Sequence, residues 1–349
     1  MVRDVASDVE HRSGPDPAAR RSRRPTGADV ARRAGLSRAT VSYVLNNTPH
    51  QVIPEHTRQR VLAAAAELGY TPSAAGRALR SGHSDVVLLL LPDWPIGPSV
   101  GALLESLSSA LADRALTFVA HPRSTGRPVS DVWKAITPAA VVTFEQLDEA
   151  EARKLEAAGV ELTVALFGGH RGSRALDIPE QRTGRLQVEH LAAAGHRQLG
   201  YAWPDDPRVL TFAQPRLDGV RQACADLGLG EPQVLTVPFT LDGVDSAVRT
   251  WRDAGPRVTG ICAYNDDLGL ALLSGARRVG LEVPGDLAVI GVDDIPASAV
   301  ASPTLTTVRG DAPVLAGYIA ETIRRKLDGR PVGRRPASDI HSVVRRESA

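Results

Sequence analysis

Polar and apolar positions follow two different rhythms along these 349 residues. Between residues 26 and 70 the apolar side chains recur at helical spacing. Val30, Ala31 and Ala34 share one face of a first short segment, and Val41, Val44 and Leu45 recur at i, i+3 and i+4 on a second. Gly35 lies between them, where a positive φ lets the chain leave one helix without a Cβ penalty. Thr26, with Asp29 three residues on, forms a capping-box pair, and Ser37 is placed to cap the next helix. The spacing predicts three short helices, the first two joined by a glycine turn.

After Asp85 the rhythm changes. The runs "VVLLLLP", "LTFVAHP", "AAVVTF" and "ELTVALF" alternate with helical segments such as 100–114 and 148–158. A second series, "QLGYAWP", "QVLTVPF", "VTGICAY" and "DLAVIGV", alternates with helices ending near Gly228, Gly255 and Gly280. Continuous apolar runs mark strands buried on both faces, and their alternation with helices predicts parallel sheets with right-handed crossovers. Two series predict two similar lobes. The fold class expected is a small all-α headpiece followed by a two-lobed α/β core, its parallel sheets flanked by helices. The expected parts are a disordered basic tail (1–25), a helical module (26–71), a small-residue connector (72–83) and the core (84–349). Within the core the first lobe takes 84–167 plus 304–329, and the second takes 168–303 plus 330–349.

Charge sharpens this division. The chain as a whole carries only +1, yet eleven arginines against three acids between residues 20 and 83 leave that stretch at +8. A polyanion partner for the N-terminal part follows. Cys224 and Cys262 fit no metal or redox spacing and read as buried thiols in a reducing compartment. There is no signal-peptide pattern, and "VVLLLLP" is too short to cross a bilayer, so a cytoplasmic protein with no membrane partner is expected. No P-loop, nucleophile elbow or metal-ligand spacing occurs, which argues against an enzyme and calls for no cofactor and no metal. His190 and His196 flank a helix end and read as caps; "IRRKLDG" reads as charge complementing a helix dipole.

The second helix of the N-terminal module turns Ala39, Ser42, Tyr43 and Asn46 outward, with Arg38 on the flank. Two helices, a glycine turn and a polar outer face describe a helix-turn-helix, or else an ordinary helical hairpin; the excess of positive charge favours the former. In the core, clefts of such folds lie beyond the carboxyl ends of the strands. The side chains there are Asp93, Trp94, Trp203, Asp205, Asp266 and Asp293, and Arg216 opens the helical segment "RLDGVRQACADLG". Carboxylates and arginine suit hydroxyls or polar ring edges, and tryptophan offers a flat apolar face.

The segments "DVARRAGLSRATVSYVLN" and "VIPEHTRQRVLAAAAELGYTPSAAGRALRSG" resemble the headpiece and hinge of the lac-repressor (LacI/GalR) family of bacterial transcription regulators. "HLAAAGHRQLGY", "RLDGV", "YNDDLGLAL", "GLEVPGDLAVIGVDDI", "SPTLTTV" and "SVVRRES" extend the resemblance over nearly everything after residue 25. It implies a nucleoid-associated homodimer on a near-palindromic double-stranded operator, with a periplasmic-binding-protein-like core that holds a small, sugar-like effector between its lobes. By that likeness Arg38, Ala39 and Tyr43 face base edges in the major groove. Ser37, Thr40, Ser42 and Asn46 position the backbone, and Tyr70, Ser73 and Leu79 join the DNA-binding set, Leu79 as a minor-groove wedge. The same likeness implies effector contacts from an arginine matching Arg216 and carboxylates matching Asp266 and Asp293, and Asp93, Trp94 and Trp203 complete the expected set by their places at strand ends. Several positions depart from the family pattern: Tyr43 stands where arginine is common, Ser73 replaces asparagine, Gly76 replaces alanine, and "LPDWPIGPSV" is not the usual polar-aromatic loop. Two other readings share parts of this architecture. One is a solute-binding receptor, against which the headpiece and the missing signal peptide count; the other is a DNA-tethered sugar enzyme, for which no catalytic constellation appears.

Overall fold

The computed structural model describes residues 25–45, 51–71, 84–122, 136–145, 147, 149–157, 159–160, 162–166, 180–331 and 340–349. The expected tail (1–24 of it), Asn46, and the connector with Ser73 and Leu79 lie outside the described residues. The chain divides into two compact units, Met1–Arg80 and Ser81–Ala349.

The described residues of the first unit form α1 (Gly27–Ala34), α2 (Arg38–Leu45) and α3 (Glu55–Glu67). The capping box forms: Thr26 Oγ1 accepts from the Asp29 N–H at 3.4 Å, and the Thr26 N–H donates to Asp29 Oδ2 at 2.8 Å. Gly35 ends α1 at φ 64°, and Ser37 Oγ accepts from the Thr40 N–H at 3.0 Å to start α2. Val30, Ala31, Ala34, Val41, Val44, Val61, Ala64 and Ala65 make the core. Its small side chains let three short helices approach closely, and packing rather than propensity holds helices of this length.

The second unit contains two sheets. Strands β1 (Val86–Leu91), β2 (Thr117–Pro122), β3 (Ala140–Thr143) and β4 (Leu162–Ala165) form a parallel sheet in the order β2-β1-β3-β4, with α4 (Pro98–Ala112) and α5 (Glu149–Ala157) between them in sequence. The second lobe runs α6 (Glu180–Ala193), β5 (Leu199–Pro204), α7 (Leu210–Asp226), β6 (Gln233–Val237), α8 (Leu241–Arg252), β7 (Gly260–Ala263), α9 (Asp266–Val279), β8 (Ala288–Val292) and β9 (Thr306–Gly310). Helix α10 (Ala312–Leu327) and strand β10 (His341–Val344) follow. The order is β10-β9-β8-β7-β5-β6, parallel except for β10 against β9.

All eight predicted apolar runs are strands; β9 and β10 add two that the pattern did not mark. The lobe boundary needs correction. Residues 306–310, expected in the first lobe, pair with β8 and β10 in the second, and the chain returns to the first lobe only at α10. There Ala316, Ile319, Ala320 and Ile323 join Val87, Leu89, Val142 and Val164 in one cluster. Both cysteines are buried and unpaired. Among the described residues no helix is long and apolar enough to cross a membrane.

Candidate functional site: an exposed helix and a buried arginine cluster

In the first unit, Val41 and Val44, with Leu45 beside them, anchor α2 in the core, so its opposite face is left to solvent. Ser37, Arg38, Ala39 and Tyr43 are exposed, while Thr40 and Ser42 are half-buried. The hydroxyls of Ser37 and Thr40 lie 2.9 Å apart, which ties both to the start of the helix. Tyr70 is half-buried against the headpiece core, its hydroxyl 3.5 Å from where a Cβ on Gly27 would stand. The glycine turn is braced from α3, because Arg60 Nη2 donates to the Ala34 carbonyl at 2.6 Å. Sequence reasoning did not single out Arg60.

In the second unit the site is built on α7. That helix begins at Leu210, about two turns ahead of the expected start at Arg216, and so places Phe212 one turn before Arg216 on the same face. Helices α6 and α7 cross in near backbone contact. A Cβ on Gly184 would stand 2.0 Å from the Arg216 carbonyl oxygen, and one on Gly219 would stand 1.9 Å from that of Gln181. Only glycine fits at either position. The close crossing brings Glu180, at the start of α6, against Arg216.

Arg216 is buried and heavily engaged. Its Nε donates to Glu180 Oε2 at 2.7 Å, its Nη1 donates to the Tyr264 carbonyl at 2.9 Å, and its Nη2 lies 3.6 Å from Asp293 Oδ1. The guanidinium carbon stands 5.7 Å from the Phe212 ring centre and 5.2 Å from that of Tyr264. Burial alone would lower the Arg216 pKa, but the Glu180 and Asp293 carboxylates outweigh it and hold the charge. Asp293 sits at φ 110°, a strained backbone for a residue with a Cβ, its N–H donating to the Val308 carbonyl at 2.8 Å. Burial pushes its carboxyl up to about 7; Arg216 pulls the other way, and Asp266, Glu180 and Asp267 add to the rise.

The other side of the site is aromatic. The Trp94 ring lies edge-on to Phe144 at 4.5 Å and to Phe212 at 4.6 Å, so the loop after β1, the end of β3 and α7 meet there. Thr211 also donates to Glu145 across the same junction. Asp93 is exposed beside Trp94. Trp203 lies within β5, half-buried between the two second-lobe clusters and 6.4 Å from the Tyr201 ring.

Asp266 is the clear correction. It is fully buried, and its oxygens accept from the Ser298 hydroxyl at 2.7 Å, the Thr307 hydroxyl at 2.5 Å and the Ile295 N–H at 2.9 Å. Burial raises its pKa against those three hydrogen bonds, and it ties the loop after β8 to α9 instead of facing a ligand. Glu180, Phe144 and Phe212 were missed. Phe212 had a readable signal, the i, i+4 spacing to Arg216; Glu180 had none, since its place depends on the α6–α7 crossing.

Comparison with known proteins agrees with this geometry. The model of the bacterial regulatory proteins of the lacI family matches residues 28–73, and that of a periplasmic binding protein-like domain matches residues 188–349. The HTH-type transcriptional regulator CelR of Thermobifida fusca is 30% identical over 352 residues, covering 93% of this chain and 98% of its own length. This chain belongs to the lacI family. Like its relatives, it is a DNA-binding transcriptional regulator and not an enzyme. Among solved structures, the lac repressor dimer bound to operator and the anti-inducer ONPF superposes with a TM-score of 0.76 at 23% identity, covering 93% of this regulator and 99% of that chain. The CelR–cellobiose complex superposes with a TM-score of 0.63 at 26% identity, covering 93% and 100%.

Proposed function

We propose that this lacI-family regulator is a cytoplasmic, nucleoid-associated repressor. It binds a near-palindromic operator as a homodimer and changes its operator affinity when a sugar-like molecule occupies the site around Arg216, Trp94 and Asp293. The observation that carries the DNA half is the exposed face of α2. Arg38, Ala39 and Tyr43 stand out from a helix whose other face is locked by Val41 and Val44. Arg38 gives bidentate hydrogen bonds to a guanine edge, Ala39 meets a thymine methyl, and Tyr43 meets a neighbouring base edge. Ser37, Thr40, Ser42, Asn46, Tyr70 and Ser73 hold phosphates, and Leu79 wedges a base step in the minor groove. Two copies on two half-sites account for a palindromic site, and the lac repressor structure is itself a dimer on operator.

Arginine, carboxylate and aromatic faces converge at the second site, and CelR holds cellobiose on the same fold. Ligand favours one relative orientation of the lobes, which sets the DNA-competent form of the dimer. A coupling of about 1–3 kcal/mol changes operator affinity some five- to 150-fold. The test is selection of bound duplexes from a random pool, followed by operator titration with and without mono- and disaccharides. A shared palindromic sequence and a sugar-dependent affinity are expected. Equal binding of all duplexes overturns the DNA half; operator affinity indifferent to every sugar overturns the effector half.

A further inference from the structure

Among the described residues the charges buried around Arg216 do not balance. Glu180 alone matches the guanidinium, with side chains only 9% and 8% exposed. Once ionised, above about pH 7, Asp293 is a surplus anion. The charged groups that act on it come from three helices: Glu180 from α6, Arg216 from α7, and Asp266 and Asp267 from α9, so three acids face one base. The neighbouring described arginines have carboxylate partners, two of them sharing one. Arg208 is held by both oxygens of Asp206, at 3.0 and 2.7 Å, while Arg309 and Arg346 both face Asp294. A ligand arriving here meets hydrogen-bond acceptors, and it meets no described guanidinium that lacks a carboxylate partner.

We propose that the effector is a ring with an apolar face that donates hydrogen bonds to Asp293 and carries no negative charge: a neutral or amino sugar, never a sugar phosphate or sugar acid. The inference rests on the effector reading above and narrows it. The apolar face of the ring meets the partly exposed Trp94 and Phe212, which Phe144 backs from the core, while a hydroxyl or ammonium group satisfies the carboxylate that Arg216 only approaches at 3.6 Å. A phosphate or carboxylate at the same place stands against Asp293 and must displace Glu180 to reach Arg216. Like charges brought together away from water are costly.

The experiment is calorimetric titration of the full-length protein at pH 7.5 with matched sets: glucose, galactose and mannose, their 2-amino derivatives, their 6-phosphates and their uronic acids. At least one neutral or amino sugar should bind, with its phosphate and uronic counterparts weaker by at least about tenfold, the dissociation constant rising accordingly. Asp293→Asn should shrink that gap to about threefold or less, since the amide removes the repelling charge at constant size. Glu180→Gln, read separately, should improve binding of the acidic forms by exposing an unmatched guanidinium. An anionic member that binds as tightly as its neutral parent and shifts operator affinity overturns this inference and leaves the effector reading standing. A discrimination unchanged in both variants overturns the role of Asp293. If no sugar in the set binds, this inference fails and the sugar reading of the effector fails with it.

Discussion

The two functional regions each rely on an arginine and treat it oppositely. In the helical unit, Arg38 is exposed and makes no ion pair or hydrogen bond among the described residues. The other described arginines of that unit are engaged within it: Arg32 with Asp29, Arg33 with Glu67, Arg58 near Glu55 and Arg60 on the Ala34 carbonyl. In the core, Arg216 is almost wholly buried and surrounded by Glu180, Tyr264, Phe212 and Asp293. A side chain that must be satisfied by an exchangeable partner is left open. One that must hold a pocket in shape is satisfied beforehand, so little ordering remains to be done when a ligand arrives.

The sharpest way to break the contrast is to remove each arginine in turn. Arg216→Ala leaves Glu180 buried beside nothing, and should cost about 3–5 kcal/mol in denaturant unfolding of the core. A loss under about 1 kcal/mol would mean that water already reaches the pair and that the wiring is only apparent. The next effect concerns Asp293. Its carboxyl is raised from 3.8 to about 7, so the folded chain keeps a proton that the unfolded chain releases. Stability should therefore fall as pH rises from about 4 to about 7 and level off above, by up to about 1.4 kcal/mol per unit. Asp293→Asn should flatten that part of the pH–stability curve; an identical slope in the variant would assign the proton elsewhere.

Smaller effects are expected on the exposed side. Arg38→Ala should relax base choice at one operator position by about 1–3 kcal/mol with unfolding unchanged. Equal weakening at every position would make Arg38 a phosphate contact instead. Ser37→Ala removes the acceptor for the Thr40 N–H and should lower the stability of the helical unit by about 1 kcal/mol. Thermal melting of the headpiece signal checks this, and operator selectivity should survive it.

How much of this was readable from sequence depended on how local each determinant is. Val30, Val41 and Val44 announce helical faces by spacing, and Thr26, Gly35 and Ser37 announce helix ends by their chemistry, so the headpiece was legible nearly residue by residue. The apolar runs marked β1 to β8 for the same reason. Strands β9, TTVRG, and β10, HSVV, each begin with two polar residues and hold one and two apolar side chains, so no continuous run revealed them. Asp266 misled because a carboxylate beyond a strand end looks alike whether it points into a cleft or back into the loop. Its direction is decided by Ser298 and Thr307, 32 and 41 residues away in sequence. Glu180 was invisible for a similar reason, since its meeting with Arg216 depends on two glycines in two different helices.

The passage from β9 into α10 has a consequence for taking the core apart. Ala316, Ile319, Ala320 and Ile323 fill the interior of the first lobe, although they follow the second lobe in the chain. Of two half-proteins divided between β4 and α6, one would therefore carry α10 with its apolar face uncovered, and the other a core that lacks this helix. They should behave as complementing fragments, sticky apart and ordered once mixed.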